Sequence, residues 1–399
     1  MAAAIPGGVT AAEGFSAAGV HCGIKPSALD LAVIAADRPA TAAALFTTNL
    51  VKAAPVLLSQ QHVRASGGRA RAVVINSGCA NACTGAAGLE VAQRTAAHAS
   101  AALGVPPEHV LVASTGVIGV ALDAERVKAG ISAAISQLSR DAHLDAARAI
   151  MTTDRGPKEA AVEARAGGQR FRVGGLAKGA GMIEPNMATM LAVLTTDAAV
   201  EAPLLDRALR AACAETFNAI TIDGDTSTND TVFALASGAG GAMVGDEELP
   251  AFQAALTDVC RGLAIAIVRG GEGVTRTVSV RVSGAPTVEQ ARRVAKTVAN
   301  SLLVKTAIHG ADPNWGRILA AAGRAGVPFD PRDASVRIGP VVLFAGGRPF
   351  DDRAPQAAGF LSRDEVEIEV GLGAGSAAAI VYTCDLSAEY VRINAEYRT

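Results

Sequence analysis

A threonine hydroxyl attacks a carbonyl only when a base takes its proton, and a threonine at a chain N-terminus carries such a base as its own α-amine. The stretch from Lys178 to Asp197 suits a residue of that kind. A loop broken by Gly179, Gly181 and Pro185 leads through Met187 and Ala188 to Thr189, and the apolar run Met190–Leu194 follows. An α-amine has a reference pKa of about 8, so a useful fraction is unprotonated near neutral pH. Cutting the Ala188–Thr189 bond would create nucleophile and base together, and the reaction class would be acyl transfer. The plainer reading makes Thr189 a β-branched residue that opens a strand. The small residue before it, the proline-restricted approach and the strand behind it favour the nucleophile, because a rigid strand fixes a reacting group.

Around this segment, short apolar strands alternate with helical patterns. Ala72–Ile75 and Val110–Ala113 read as strands, the first followed by a polar loop, Asn76–Gly85, and the second by a turn at Ser114-Thr115-Gly116. Helical spacing covers Leu89–Leu103, a long stretch from about Asp123 to Met151, Ala202–Phe217 and Glu247–Ala264. Thr189–Thr195 reads as a central strand. Thr287 and Gln290 fit a capping box that opens a helix with Val288, Ala291, Val294, Ala295 and Val298 on one side. Glu365–Val370 alternates polar and apolar, and Gly371–Gly375 is expected to turn it into a hairpin with Ala378–Thr383. Layers of sheet covered by helices fit this mixture better than a doubly wound sheet does.

The composition narrows the partners. Lys and Arg (36) nearly balance Asp and Glu (38), with the signs interspersed, which gives no electrostatic case for nucleic acid or acidic membranes. No apolar run approaches the roughly 20 residues of a bilayer span, and the start has no signal-peptide pattern. The six cysteines are scattered and expected to be reduced, with no ligand set for zinc. The loop Asp223–Asp230 has three aspartates but lacks the glycine and distal glutamate of a calcium loop, so no metal is expected.

The segment Lys178–Asp197 resembles the cleavage and nucleophile region of the ornithine acetyltransferase (glutamate N-acetyltransferase) family of arginine biosynthesis. Phe46–Asn49, Lys52–Val56, Asn76–Gly85, Ser114–Gly119, Ile150–Asp154, His309–Arg317 and the ending Tyr390–Thr399 agree with it, in order, over nearly the whole chain. Two positions depart from the family pattern: Gly270 stands where aspartate is usual, and Cys79 where asparagine is.

The resemblance implies an α/β fold, a layered α-β-β-α sandwich. It implies self-cleavage into an α chain, residues 1–188, and a β chain, residues 189–399, that build one catalytic unit, with a smaller lobe expected over about 276–360. By the same likeness Thr189 is the nucleophile, Thr115 and Gly116 form the oxyanion hole, and Thr152, Lys178, Thr189, Glu272, Asn394 and Thr399 line the substrate pocket. Charge matching then assigns Lys178 to the substrate carboxylate and Glu272 to the ornithine amine. The expected substrates are N²-acetylornithine and glutamate, with acetyl-CoA as a second donor in some relatives. No cofactor is expected, the assembly is expected to be α₂β₂, and the location cytoplasmic. A hydrolase of the same self-cleaving kind, or an uncut binding protein, would be the rival readings.

Overall fold

The computed structural model describes residues 2–184 and 190–396. They form two compact units. The larger spans Met1–Asn218 and Asp225–Ile267, and the smaller spans Ala219–Gly224 and Val268–Arg398.

The larger unit is organised by one long strand, β3 (Leu31–Phe46), which follows β1 (Ala3–Ala4) and β2 (Phe15–Val20). Its first half pairs with β2, its second half with β10 (Thr231–Ala236), and its other edge with β4 (Arg69–Cys79). Beyond β4 lies β5 (Val110–Val117). Beyond β10 lie β8 (Leu191–Thr196), β7 (Gln169–Lys178) and β6 (Lys158–Ala166). Ala32, Ile34, Val73, Ile75 and Leu111 from one half share a core with Leu176, Leu191, Val193 and Phe233 from the other. The open sheet therefore folds over, bringing its two inner faces onto one core. Leu31, Val33 and Ala35 point the opposite way, as period-two geometry demands, under α1 (Ala54–Ala65), α2 (Gly85–Leu103) and α3 (Ala124–Ser136). The outer face of the other half carries α5 (Ala202–Glu215) and α6 (Leu249–Arg269), where the rings of Phe171 and Phe252 lie 5.7 Å apart. This is the expected α-β-β-α layering. A short ribbon, β9 (Ala199–Val200) with β11 (Met243–Val244), completes the unit.

Several expectations need correction. The helical stretch from Asp123 to Met151 is broken. After α3 the chain leaves the helix so that Ser139 and Ala17 exchange two backbone hydrogen bonds of 3.0 Å, and α4 (His143–Ala149) then lies across β2. Gly19 permits that crossing, since a Cβ there would sit 2.1 Å from the Asp145 carbonyl oxygen. Helix α6 meets the length and average hydropathy of a bilayer span, although Gln253, Thr257, Asp258 and Arg261 interrupt its apolar run. Its face from Phe252 to Ile267 is buried, and Asp258 pairs with Arg261 on its outer side.

The smaller unit is a six-stranded sheet of β12 (Thr277–Ala285), β13 (Ser335–Ile338), β14 (Val341–Ala345), β15 (Arg348–Pro349), β16 (Glu365–Gly371) and β17 (Ala377–Cys384). The expected hairpin does not form: β12 lies between β16 and β17, parallel to the first and antiparallel to the second. The glycine-rich loop passes over the end of β12, with Leu372 N–H donating to the Ser283 carbonyl at 2.9 Å. A loop that satisfies its amides on an intervening strand needs no tight turn. Val278, Val280 and Val282 pack on α7 (Val288–Ala299), α9 (Trp315–Gly323) and α10 (Ala354–Leu361). Thr287 does cap α7, accepting from Gln290 N–H at 3.2 Å, but Gln290 Oε1 finds no partner among the described residues, and Val288 is exposed. Helix α8 (Leu302–His309) and α11 (Ala388–Glu396) finish the unit.

Candidate active site

The strand reading stopped β4 and β5 too early. Both run on through polar residues, β4 to Cys79 and β5 to Val117, so Thr115 and Gly116 lie within a strand instead of a turn after it. The polar extension is stable because its side chains are paired. Ser114 Oγ donates to Asn76 Oδ1 at 2.6 Å, Asn76 Nδ2 to the Cys79 carbonyl at 2.9 Å, and Ser77 Oγ to the Ala149 carbonyl at 2.6 Å. The ladder bulges at Gly78 and Cys79, opposite Gly116. Gly116 has φ 126°, and a Cβ on it would lie 2.4 Å from the Gly78 carbonyl carbon, so only glycine fits there.

Lys178 ends β7 and is buried. Its Nζ donates to Thr115 Oγ1 at 3.1 Å, which brings together two candidates 63 residues apart in sequence. Thr152 follows α4, and its N–H donates to Asp154 Oδ2 at 3.0 Å. Asp154 Oδ1 accepts from Gly179 N–H at 2.8 Å and from Lys158 Nζ. Burial alone would push the Asp154 carboxyl up. The Lys178 and Lys158 charges and these hydrogen bonds overcome it and bring the group down to about 2.

Further residues around this cluster had no role assigned from the sequence. Lys25 Nζ donates to the Met151 carbonyl at 2.6 Å, and its own loop wraps the buried Asp30 carboxylate with the amides of Cys22, Gly23, Ile24 and Lys25. Asn229 Nδ2 donates to the Ala80 carbonyl at 2.6 Å and the Ser114 carbonyl at 2.8 Å, locking the loop ahead of β10 to the strand that carries Thr115. Asp230 is buried beside it. Ser227 supplies it with hydrogen bonds, but its Oδ2 has no partner among the described residues, and burial pushes its carboxyl well above the usual range. Thr231 N–H, next along, donates to the Met190 carbonyl at 2.9 Å. The three aspartates of the Asp223–Asp230 loop were the only signal for any of these, and the sequence reading weighed them only as a metal loop and rejected it. The described residues contain no cluster of three or more metal-ligating side chains.

In the smaller unit, Glu272 is buried in the turn after α6, and Asn394 Nδ2 of α11 donates to Glu272 Oε2 at 2.8 Å. Gly273 makes room for that helix, because a Cβ there would meet Tyr390 N at 2.3 Å. Ser387 Oγ donates to the Gly273 carbonyl at 2.6 Å, and Tyr390 Oη to Asp223 at 3.1 Å. Cys79 is a buried packing residue whose thiol is pushed up by burial. His309 Nδ1 lies 2.7 Å from the buried Asp385 carboxylate. Ala188, Thr189 and Thr399 lie outside the described residues.

Residues 16–399 match the profile of the ArgJ family. The arginine biosynthesis bifunctional protein ArgJ of Parasynechococcus marenigrum is 46% identical over 99% of this chain and 96% of its own length. The protein of the same name from Thermosynechococcus vestitus is 49% identical over 99% of both. Among solved structures, the arginine biosynthesis bifunctional protein of Bacillus halodurans is 42% identical, with 51% of this chain and 97% of that chain covered and a TM-score of 0.49. Ornithine acetyltransferase of Mycobacterium tuberculosis, complexed with ornithine, is 44% identical over 47% of this chain and all of its own, with a TM-score of 0.44. Matched along almost its entire length by the profile and by full-length relatives, this chain belongs to the ArgJ family.

Proposed function

We propose that this protein moves the acetyl group of N²-acetylornithine to glutamate through an acetyl ester on Thr189, after severing its own chain between Ala188 and Thr189. The observation that supports this most is the buried contact between Lys178 Nζ and Thr115 Oγ1 beside Gly116. A threonine hydroxyl that accepts from an ammonium keeps its own hydrogen free to donate, and the charge behind it polarises that hydrogen. Thr115 and Gly116 are thereby suited to meet the oxyanion of a tetrahedral adduct, a contribution worth about 3–4 kcal/mol per donor.

In this scheme the Thr189 α-amine takes the hydroxyl proton as Oγ attacks the acetyl carbonyl. The C–N bond breaks, the proton passes to the departing ornithine amine, and an ester remains. Glutamate then attacks that ester through its amine and regenerates the hydroxyl. Thr152, Lys178, Glu272, Asn394 and Thr399 are the substrate-binding set, with Lys178 taking the carboxylate and Glu272 the ornithine side-chain amine. The relatives are named bifunctional; for this chain we infer that acetyl-CoA also charges Thr189. The two cut chains, 1–188 and 189–399, stay together and pair into an α₂β₂ assembly in the cytoplasm.

The test is radiolabelled acetylornithine with glutamate, run beside a denaturing gel. Labelled acetylglutamate and two bands are expected. Free acetate without acetylglutamate would indicate a hydrolase, and one band with full activity would end the scheme. Thr189→Ala is expected to stay uncut and to transfer nothing.

A further inference from the structure

We propose that Asp154 is a positioning residue of the acetyl-transfer site: one ionised carboxylate fixes the backbone at both Thr152 and Lys178. The inference rests on the function proposed above and adds a residue that touches neither substrate nor nucleophile in that scheme.

The peptide unit joining Met151 to Thr152 is gripped at both ends, by the half-buried Lys25 and the buried Asp154. Its carbonyl accepts from Lys25 Nζ at 2.6 Å, and its N–H donates to Asp154 Oδ2 at 3.0 Å. The peptide that follows Lys178 is caught by the same side chain, its Gly179 N–H donating to Asp154 Oδ1 at 2.8 Å. The Asp154 side chain is fully buried, and it also pairs with Lys158 Nζ. A carboxylate with donors on both oxygens cannot swing without leaving a buried amide unpaired. Thr152 and Lys178, 26 positions apart in the chain, are therefore held at a fixed separation by one rigid, charged bracket. Asparagine is the same size but replaces one acceptor oxygen with a donor, so it cannot serve Thr152, Gly179 and Lys158 together. A negative charge there also sits among the three cations Lys25, Lys158 and Lys178 and offsets their mutual repulsion.

A bracket of this kind acts on substrate binding through Lys178, whereas a merely structural ion pair would act on stability alone. The experiment is a double-mutant cycle on the full chain: wild type, Asp154→Asn, Lys178→Met and the double variant. Each is assayed for acetylornithine KM, kcat and thermal midpoint. Asp154→Asn is expected to raise KM by about tenfold or more with a smaller change in kcat, and to add about twofold or less once Lys178 is gone. An unchanged KM, or full multiplication of the two single effects, would overturn the proposal. Where Asp154→Asn yields no folded protein, Asp154→Glu decides, because it keeps the charge and shifts the oxygens by one methylene. A raised KM supports the bracket and a wild-type KM refutes it. Absence of acetylglutamate from the wild type would sink the proposed function instead, whatever the variants do.

Discussion

Asp154 and Asp230 are both buried carboxyls of the larger unit, both feel the charge of Lys178, and they titrate in opposite directions. Asp154 receives two backbone amides and a lysine, and is held down to about 2. Among the described residues the Asp230 side chain receives hydrogen bonds from Ser227, keeps one oxygen unpaired, and is pushed well above the usual range by burial. Depth does not decide ionisation here; the number of donors that reach the carboxylate does. The contrast also separates roles. Asp154 is a carboxylate held in a bracket of donors, whereas Asp230 is a sparsely paired carboxyl at the head of β10 that burial makes easier to protonate, next to the residue that pairs with Met190.

The severest way to break this contrast is to delete the bracketing charge. Asp154→Leu strands Lys158 in the interior and leaves two amides without an acceptor, so it is expected to cost about 3–5 kcal/mol of stability at neutral pH. Urea unfolding of the full chain measures this, and a loss under about 1 kcal/mol would show that the surroundings relax around the missing charge. A smaller effect sharpens the contrast through acid. Asp154 has a folded value depressed from 3.8 to about 2, so its stabilisation of about 2 kcal/mol is complete above pH 5. It is lost as pH falls from about 4 to about 2. Asp154→Asn should remove that acid limb, seen as a flatter plot of stability against pH over this window.

How far the sequence could carry this site depends on whether a contact is local. Thr115, Gly116, Lys178 and Glu272 were identifiable from their own segments and from resemblance, and the fold draws Lys178 onto Thr115 and Asn394 onto Glu272. Asp154 stood inside a segment that had been noticed, yet went unassigned. Its partners Thr152 and Lys158 are near in sequence, but Gly179, the residue that gives it meaning, arrives from the far end of β7. Asn229 was hidden in the same way, because its acceptors sit on loop residue Ala80 and strand residue Ser114. Strand limits failed where polar residues continue a ladder, since Asn76, Ser77 and Ser114 look like loop until their partners are known. The hairpin failed because pairing order is a tertiary choice: alternation marks β16 as a strand, and nothing in its spacing announces that β12 will lie beside it.

The finest test of the contrast concerns the sign of a pH dependence. A carboxyl whose folded value lies above its unfolded one binds its proton more tightly in the native state. Between those two values the native chain holds more protons than the unfolded chain, so stability falls as pH rises. Asp230 is such a group, and the window opens near the ordinary carboxyl value of 3.8 and extends upward. Asp230→Asn carries no proton to lose and keeps a side chain of the same size. As pH rises above that value the wild type is therefore expected to lose stability, by at most about 1.4 kcal/mol per pH unit from this one group, and the variant to lose less. Thermal midpoints of both chains across that range provide the measurement. Parallel curves would mean that Asp230 is already ionised in the folded protein, and the opposition between the two aspartates would vanish with it.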